Sequence, residues 1–232
     1  MLKLGTGLGI GFGDFPVLGG VMPWNPYPGA AIHLDFIALR YYWGGSEKTA
    51  PGDFVSWTGV TIGANGLEPN DATAVILDAT AVPLAPPCVL AVVLFPTTSQ
   101  NSRIAGQLYN DSDEVANVCR FNQIFGPDRM QMIVTTSGST QATGTNTITL
   151  GQKTAWGYSI APNNVLFSKD GIIATTADTL ANMPSGLNRI RVGNRNAVNT
   201  SFGGSIRHFL GFPGTMDQAT LNNLTADLLS VG

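Results

Sequence analysis

The chain has 232 residues, 44% of them hydrophobic, while only 12% are Asp, Glu, Lys or Arg, and its formal net charge is −3. That length buries a full core in one large β domain or two small ones, but the charged fraction is about half of the ~25% usual in globular chains. Lys and Arg form no run, which excludes the phosphate-neutralising face that nucleic-acid binding needs.

Residues 1–30, "MLKLGTGLGIGFGDFPVLGGVMPWNPYPGA", form the first unit. Lys3 and the apolar residues after it outline a signal peptide, but glycine at 5, 7, 9, 11 and 13 and then Asp14 break the apolar helical region that one requires. "GTGLGIG" at 5–11 matches a phosphate-binding loop in its glycines alone, without the Gly-Lys-Ser/Thr ending. The segment carries Leu2, Leu4, Leu8, Ile10, Phe12, Phe15, Val17, Leu18, Val21, Met22 and Trp24, interrupted by Pro16, Pro23, Pro26 and Pro28. Glycine and proline deny it regular structure, and its apolar surface would promote aggregation if left in water. It reads as an extended arm laid on its own domain or on a neighbouring subunit, with self-association expected through it; a disordered tail is the alternative. The apolar stretches elsewhere fall short of the ~20 residues of a membrane helix, so no membrane span is expected.

Strand candidates follow. "AIHLDFIALRYYW" (31–43) places Ile32, Leu34 and Phe36 on one parity and His33, Asp35 and Ile37 on the other. "DFVSWTGVTI", the turn-like "GANG" and "ATAVILDATAV" come next. "CVLAVVLFP" (88–96) is apolar on both parities, as a strand buried on both faces should be. "SRIAGQLYN", "VANVCRFNQI" and "RMQMIVTT" alternate; "SGSTQATGTNTITL" (137–150) is polar and reads as an exposed hairpin or a loop. "KTAWGYSIA" and "NVLFS" read as a strand pair turned at "PNN". A second tight turn at "KDG", where Gly171 is free to take positive φ, leads into "IIATT". After "NRIRVGN" and "FGGSIRHFLGF", helical periodicity first appears in "GTMDQATLNNLTADLLSVG". Asp217 is its N-cap, Met216 and Leu221 form a hydrophobic staple, and Leu221, Leu224, Leu228 and Leu229 make an apolar stripe. This succession of short strands means a sandwich or barrel.

Cys88 and Cys119 are too few for a disulfide scaffold and read as small core residues, with a bond between them open if their strands are neighbours. His33 and His208 lie in strand candidates with no second histidine or cysteine close in sequence, so no zinc set is expected. Asn110, Asp111, Asp113 and Glu114 in "YNDSDEVAN" are hard oxygen donors close together and are candidate calcium ligands; a capped turn is the alternative. Tyr41, Tyr42, Trp43 and Trp57 are candidate saccharide contacts, although adjacent Tyr41 and Tyr42 must face opposite sides of a strand. Neither a strand-borne "ExDxxE" carboxylate set nor a "G-x-S-x-G" elbow occurs, so no catalytic residue is assigned.

"IRVGNR" at 190–195, "GSIRHFLGFP" at 204–213, the capped helix at 217–229 and "LDFIALRYYWGG" at 34–45 together resemble the concanavalin A-like jelly-roll domains of the laminin-G type. The similarity is nearest to the domains appended to bacteriophage tail and other virion appendage proteins. It covers roughly 30–232 and is strongest after 150. "VSWTGVT" departs from the family's pattern, and the arm is unmatched. The resemblance implies an all-β fold, a two-sheet antiparallel jelly-roll over 31–232 with a short C-terminal helix. It also implies a noncatalytic structural protein of the virion (tail, fibre or head appendage) that contacts other virion proteins and host surface glycans. The alternatives are a carbohydrate-binding adhesion module and a glycoside hydrolase or lyase. No cofactor is expected, apart from calcium at the 110–114 loop.

Overall fold

The structure, a computed structural model, describes residues 27, 29–80, 82, 84–99, 102–124, 128–173, 182–194 and 200–230. In chain order the strands begin with β1 Ile32–Asp35, β2 Arg40–Trp43, β3 Ser46–Lys48, β4 Ser56–Thr58, β5 Ile62–Gly63, β6 Gly66–Leu67, β7 Ala74–Asp78, β8 Cys88–Pro96 and β9 Arg103–Asn110. They continue with β10 Asp113–Ile124, β11 Arg129–Thr136, β12 Ser139–Thr147, β13 Thr154–Ala161, β14 Asn164–Lys169, β15 Ile172–Ile173, β16 Arg189–Val192 and β17 Gly204–Pro213, and helix α1 spans Gln218–Ser230. One sheet runs β15-β14-β13-β8-β17-β1-β2-β3, with β6 pairing to β17 and β5 to β6; the other runs β12-β11-β10-β9-β16-β7-β4. The result is the expected open antiparallel sandwich with its C-terminal helix.

β8 is central, paired with β13 and β17. Its alternate residues Cys88, Leu90, Val92 and Leu94 enter the core between the sheets. Val89, Ala91 and Val93 face outward into a second cluster with Leu221, Leu224 and Leu228 of α1. Across the sandwich, Phe121 of β10 meets Tyr158 of β13 edge to face at 4.8 Å. Gly106 is required there: a Cβ would sit 2.7 Å from Cε2 of Phe209 in the facing sheet.

Asp217 caps α1 as expected, its Oδ1 accepting from the Thr220 amide at 2.7 Å, and this hydrogen bond holds its carboxyl below the usual range. Met216 packs in the same cluster as Leu221, closing the staple. The helix seats closely because β13 presents Ala155, Gly157 and Ser159 outward; a Cβ on Gly157 would lie 3.0 Å from Cγ2 of Thr225. Thr225 is fully buried, its hydroxyl paired with Ser168 Oγ at 2.8 Å and accepting from the Gly171 amide at 3.0 Å. The 153–173 stretch folds as read, with Asn163, Asp170 and Gly171 at positive φ in its two turns.

One segment differs from the sequence reading. "AIHLDFIALRYYW" is a hairpin, not one strand: Asp35 Oδ1 accepts the amides of Ile37 and Ala38, both at 2.8 Å, and Leu39 takes φ 56°. The polar 137–150 stretch takes the hairpin form of its two readings: it supplies the edge strand β12, antiparallel to β11 with a register shift between Val134 and Thr135. Of the arm, the Ala30 amide donates to the Tyr27 carbonyl at 3.1 Å, and Ala30 is buried in the cluster beside α1. The expectation of intermolecular contacts concerns residues 1–30, of which 1–26 and 28 lie outside those described. No helix among the described residues is long and apolar enough to cross a membrane.

Leu221 is fully buried, so Leu221→Ala should cost about 2–5 kcal/mol. Loss of the exposed cap in Asp217→Ala should cost distinctly less. Urea midpoints decide the order, and equal midpoints for both variants would show that the helix is not docked through this stripe.

Candidate functional site

At the β3 edge, Leu39, Tyr41, Glu47, Lys48, Trp57 and Ile62 are among the residues lining a groove of about 710 Å³. Hairpin β1–β2 supplies Leu39 and Tyr41, β3 supplies Glu47 and Lys48, and β4, the edge of the other sheet, supplies Trp57. Trp57 is wedged by Phe54 at 4.6 Å, Tyr41 at 5.2 Å and Phe36 at 6.4 Å between ring centroids, yet remains partly exposed. A ring held in this way loses little freedom when a ligand covers its open face. Burial, followed by the nearby Asp35 charge, pushes the Tyr41 phenol up to about 12, so it remains protonated. Arg40 grips Glu47 through two bonds, Nε to Oε1 at 2.8 Å and Nη2 to Oε2 at 3.0 Å, and the pairing lowers the Glu47 carboxyl.

The four aromatic candidates therefore separate. Tyr41 and Trp57 meet in the groove. Trp43 is buried against Phe54 at 4.8 Å, and Tyr42 faces the opposite side of the sheet, across from His33. Sequence reading missed Leu39, Glu47, Lys48 and Ile62. Their place depends on the turn hidden in 36–39 and on two sheet edges meeting.

The acidic loop at 110–114 closes on itself. Asn110 Oδ1 accepts from the Ser112 amide and hydroxyl at 3.0 and 2.7 Å, and Asp113 Oδ1 accepts from the Ala116 amide at 2.9 Å. Asp111 lies 3.5 Å from Arg189 Nε, while Glu114 accepts from Gln107 at 2.6 Å and from Arg191 at 3.4 Å. Each carboxylate turns to a different protein partner.

One grouping lies outside the sequence reading. His33 and His208, 175 residues apart, are brought together by the β1–β17 register, with Nε2 of His33 3.3 Å from Nδ1 of His208. Asp35, directly opposite His208, places Oδ1 3.7 Å from that Nδ1. All three side chains are buried on the outer face of the sheet, and their ligand atoms lie within 4.8 Å of one another, a grouping that can hold a divalent cation. Burial, then the neighbouring His208, pushes His33 down to about 3. Burial likewise lowers His208, against the opposing pull of Asp35. Both imidazoles are neutral at physiological pH.

A second, polar cleft of about 430 Å³ is lined by residues including Asn65, Glu68, Asp71, Arg103 and Ser201; its one ring, Phe202, is buried among the sandwich residues. Asp71 there accepts from the Ser201 hydroxyl at 3.0 Å.

No protein-family model matches the chain, and no curated protein matches it significantly in sequence. Domain 4 of AbnA, a GH43 extracellular arabinanase from Geobacillus stearothermophilus solved with arabinotriose, superposes with TM-score 0.59 at 14% identity, over 84% of this chain and 98% of that one. The fold is a lectin-like jelly-roll sandwich. The botulinum neurotoxin serotype G binding domain gives TM-score 0.56 at 10% identity over 86% of this chain, which spans about half of that one (51%).

Cys88 on β8 and Cys119 on β10 belong to different sheets and are free and buried. Burial raises Cys88 to about 12 and Cys119 well above its usual value. A thiol held protonated is a poor nucleophile, so neither should react with a disulfide reagent at pH 8 until denaturant is added. Stoichiometric labelling of the native protein would contradict this packing.

Proposed function

We propose that the protein is a noncatalytic carbohydrate-binding module whose groove around Trp57 takes a neutral oligosaccharide. The observation that carries this is the groove itself: a partly exposed indole, fixed by three rings, with apolar Leu39 and Ile62 and polar Glu47 and Lys48 among the lining residues. Ligand sites combine an apolar floor with a few polar groups in this size range, and a sugar ring offers an apolar face edged with hydroxyls. Glu47 is paired with Arg40 and the Lys48 ammonium lies over the Trp43 ring at 5.7 Å, so neither charge is set out for an ionic ligand, which suits a neutral one. The sandwich shared with the AbnA domain solved with arabinotriose supports the same reading, as it does an extracellular location.

Glu47 is the one carboxylate among the groove's described lining and is engaged by Arg40. Glycoside hydrolysis uses two carboxylates flanking the bond, so the lining supports binding without cleavage. Among the described clefts, the polar one carries two carboxylates, Glu68 and Asp71, and is where the enzyme alternative is tested. The narrower reading, a structural component of a bacteriophage particle, rests on the motifs at 34–45 and 190–229 and on the arm.

Isothermal titration with arabinotriose, followed by a neutral-glycan array, tests the proposal. Binding should quench tryptophan fluorescence, and Trp57→Ala should weaken it roughly tenfold or more, about 1.4 kcal/mol, with the thermal transition retained. Binding unaffected by Trp57→Ala, or none across the array, would overturn the groove. Slow cleavage abolished by Asp71→Asn would make the protein an enzyme.

A further inference from the structure

We propose that His33 Nε2, His208 Nδ1 and the Asp35 carboxylate form a binding site for a zinc-type divalent transition-metal ion. The separations fit the ion. With bonds of about 2.0–2.1 Å, ligands at the corners of a tetrahedron stand about 3.3–3.4 Å apart; the nitrogens are 3.3 Å apart, His208 Nδ1 is 3.7 Å from the carboxylate oxygen, and all three ligand atoms lie within 4.8 Å of one another. The donor set chooses among metals: two imidazoles and one carboxylate suit zinc, cobalt or copper, whereas calcium takes six to eight oxygens.

The scaffold is rigid and prearranged. Asp35 and His208 are direct cross-strand partners, and His33 sits two residues along the same face of β1. Asp35 is anchored by the Ile37 and Ala38 amides, which fixes the carboxylate much as outer hydrogen bonds orient metal ligands. His208 Nδ1 stands between the His33 nitrogen at 3.3 Å and the Asp35 oxygen at 3.7 Å, so the three donor atoms converge on one point. A cation between them would engage all three. Arg207 and Lys153 add positive charge near His208, so the Asp35 carboxylate is the counter-charge that makes a dication tolerable. The Tyr27 ring meets His33 edge-on at 5.4 Å and helps to cover the site. Three protein ligands leave a fourth position for water, but a site this enclosed is structural.

The test uses the untagged full chain, stripped with chelator and titrated with Co2+ and then Zn2+. One equivalent of Co2+ should give the strong visible bands of tetrahedral coordination, Zn2+ should displace it, and Zn2+ but not Ca2+ should raise the melting temperature. His208→Asn and His33→Gln should each lose the bands; if either fails to fold, Asp35→Asn, which retains an oxygen for the turn amides, serves in its place. No saturation at one equivalent, bands unchanged in the folded variants, or a melting shift produced by Ca2+ alone would each overturn the site.

Discussion

The structure depends on one strand that is buried on both faces. β8 sends Leu90, Val92 and Leu94 into the sandwich and Val89, Ala91 and Val93 outward, so the sheet's outer face cannot be left to water. At ~25 cal/mol per Å² of apolar surface, exposing that row would forfeit a large part of a domain's marginal stability. α1 supplies the cover over β13, β14 and β8, and small residues on β13 let it approach. Further along, over β17 and β1, the described cover comes from Tyr27 and Ala30, whose side chains belong to the same outer cluster. The polar trio of His33, Asp35 and His208 is buried where the helix no longer reaches.

The parts that were legible in the sequence are those whose signals are local. The double-parity apolar run of 88–96, the turns around 162 and 170 and the Asp217 cap with its leucine stripe each carry their message within a few residues, and each folds as read. Chain reversal at 36–39 was illegible because apolar residues continue through it; the turn is made by one carboxylate accepting two amides. β12 was ambiguous for the opposite reason: its Thr-rich sequence is that of an edge strand, half-exposed and paired on one side.

The sites were less legible than the fold, because both are products of topology. His33 and His208 meet only through the pairing of the first strand with the last, and no spacing rule detects a partner 175 residues away. The aromatic candidates were found as residue types, but parity sent Tyr41 and Trp43 inward and Tyr42 outward, and only the meeting of β3 with β4 made a groove of Tyr41 and Trp57.

Asp35 joins the two sites. Its Oδ1 caps the turn that carries Leu39 and leads into Tyr41, its cross-strand partner Arg40 holds Glu47, and it belongs to the histidine cluster on the outer face. The inner parity of the β1–β2 hairpin supplies the groove's aromatic floor and the outer parity the metal-type ligands. A cation fixing Asp35 would therefore steady the turn that shapes the groove, and by linkage a ligand that favours the same hairpin geometry would tighten the cation in equal measure. The physical reason is that a β-hairpin cannot move one of its faces without moving the other.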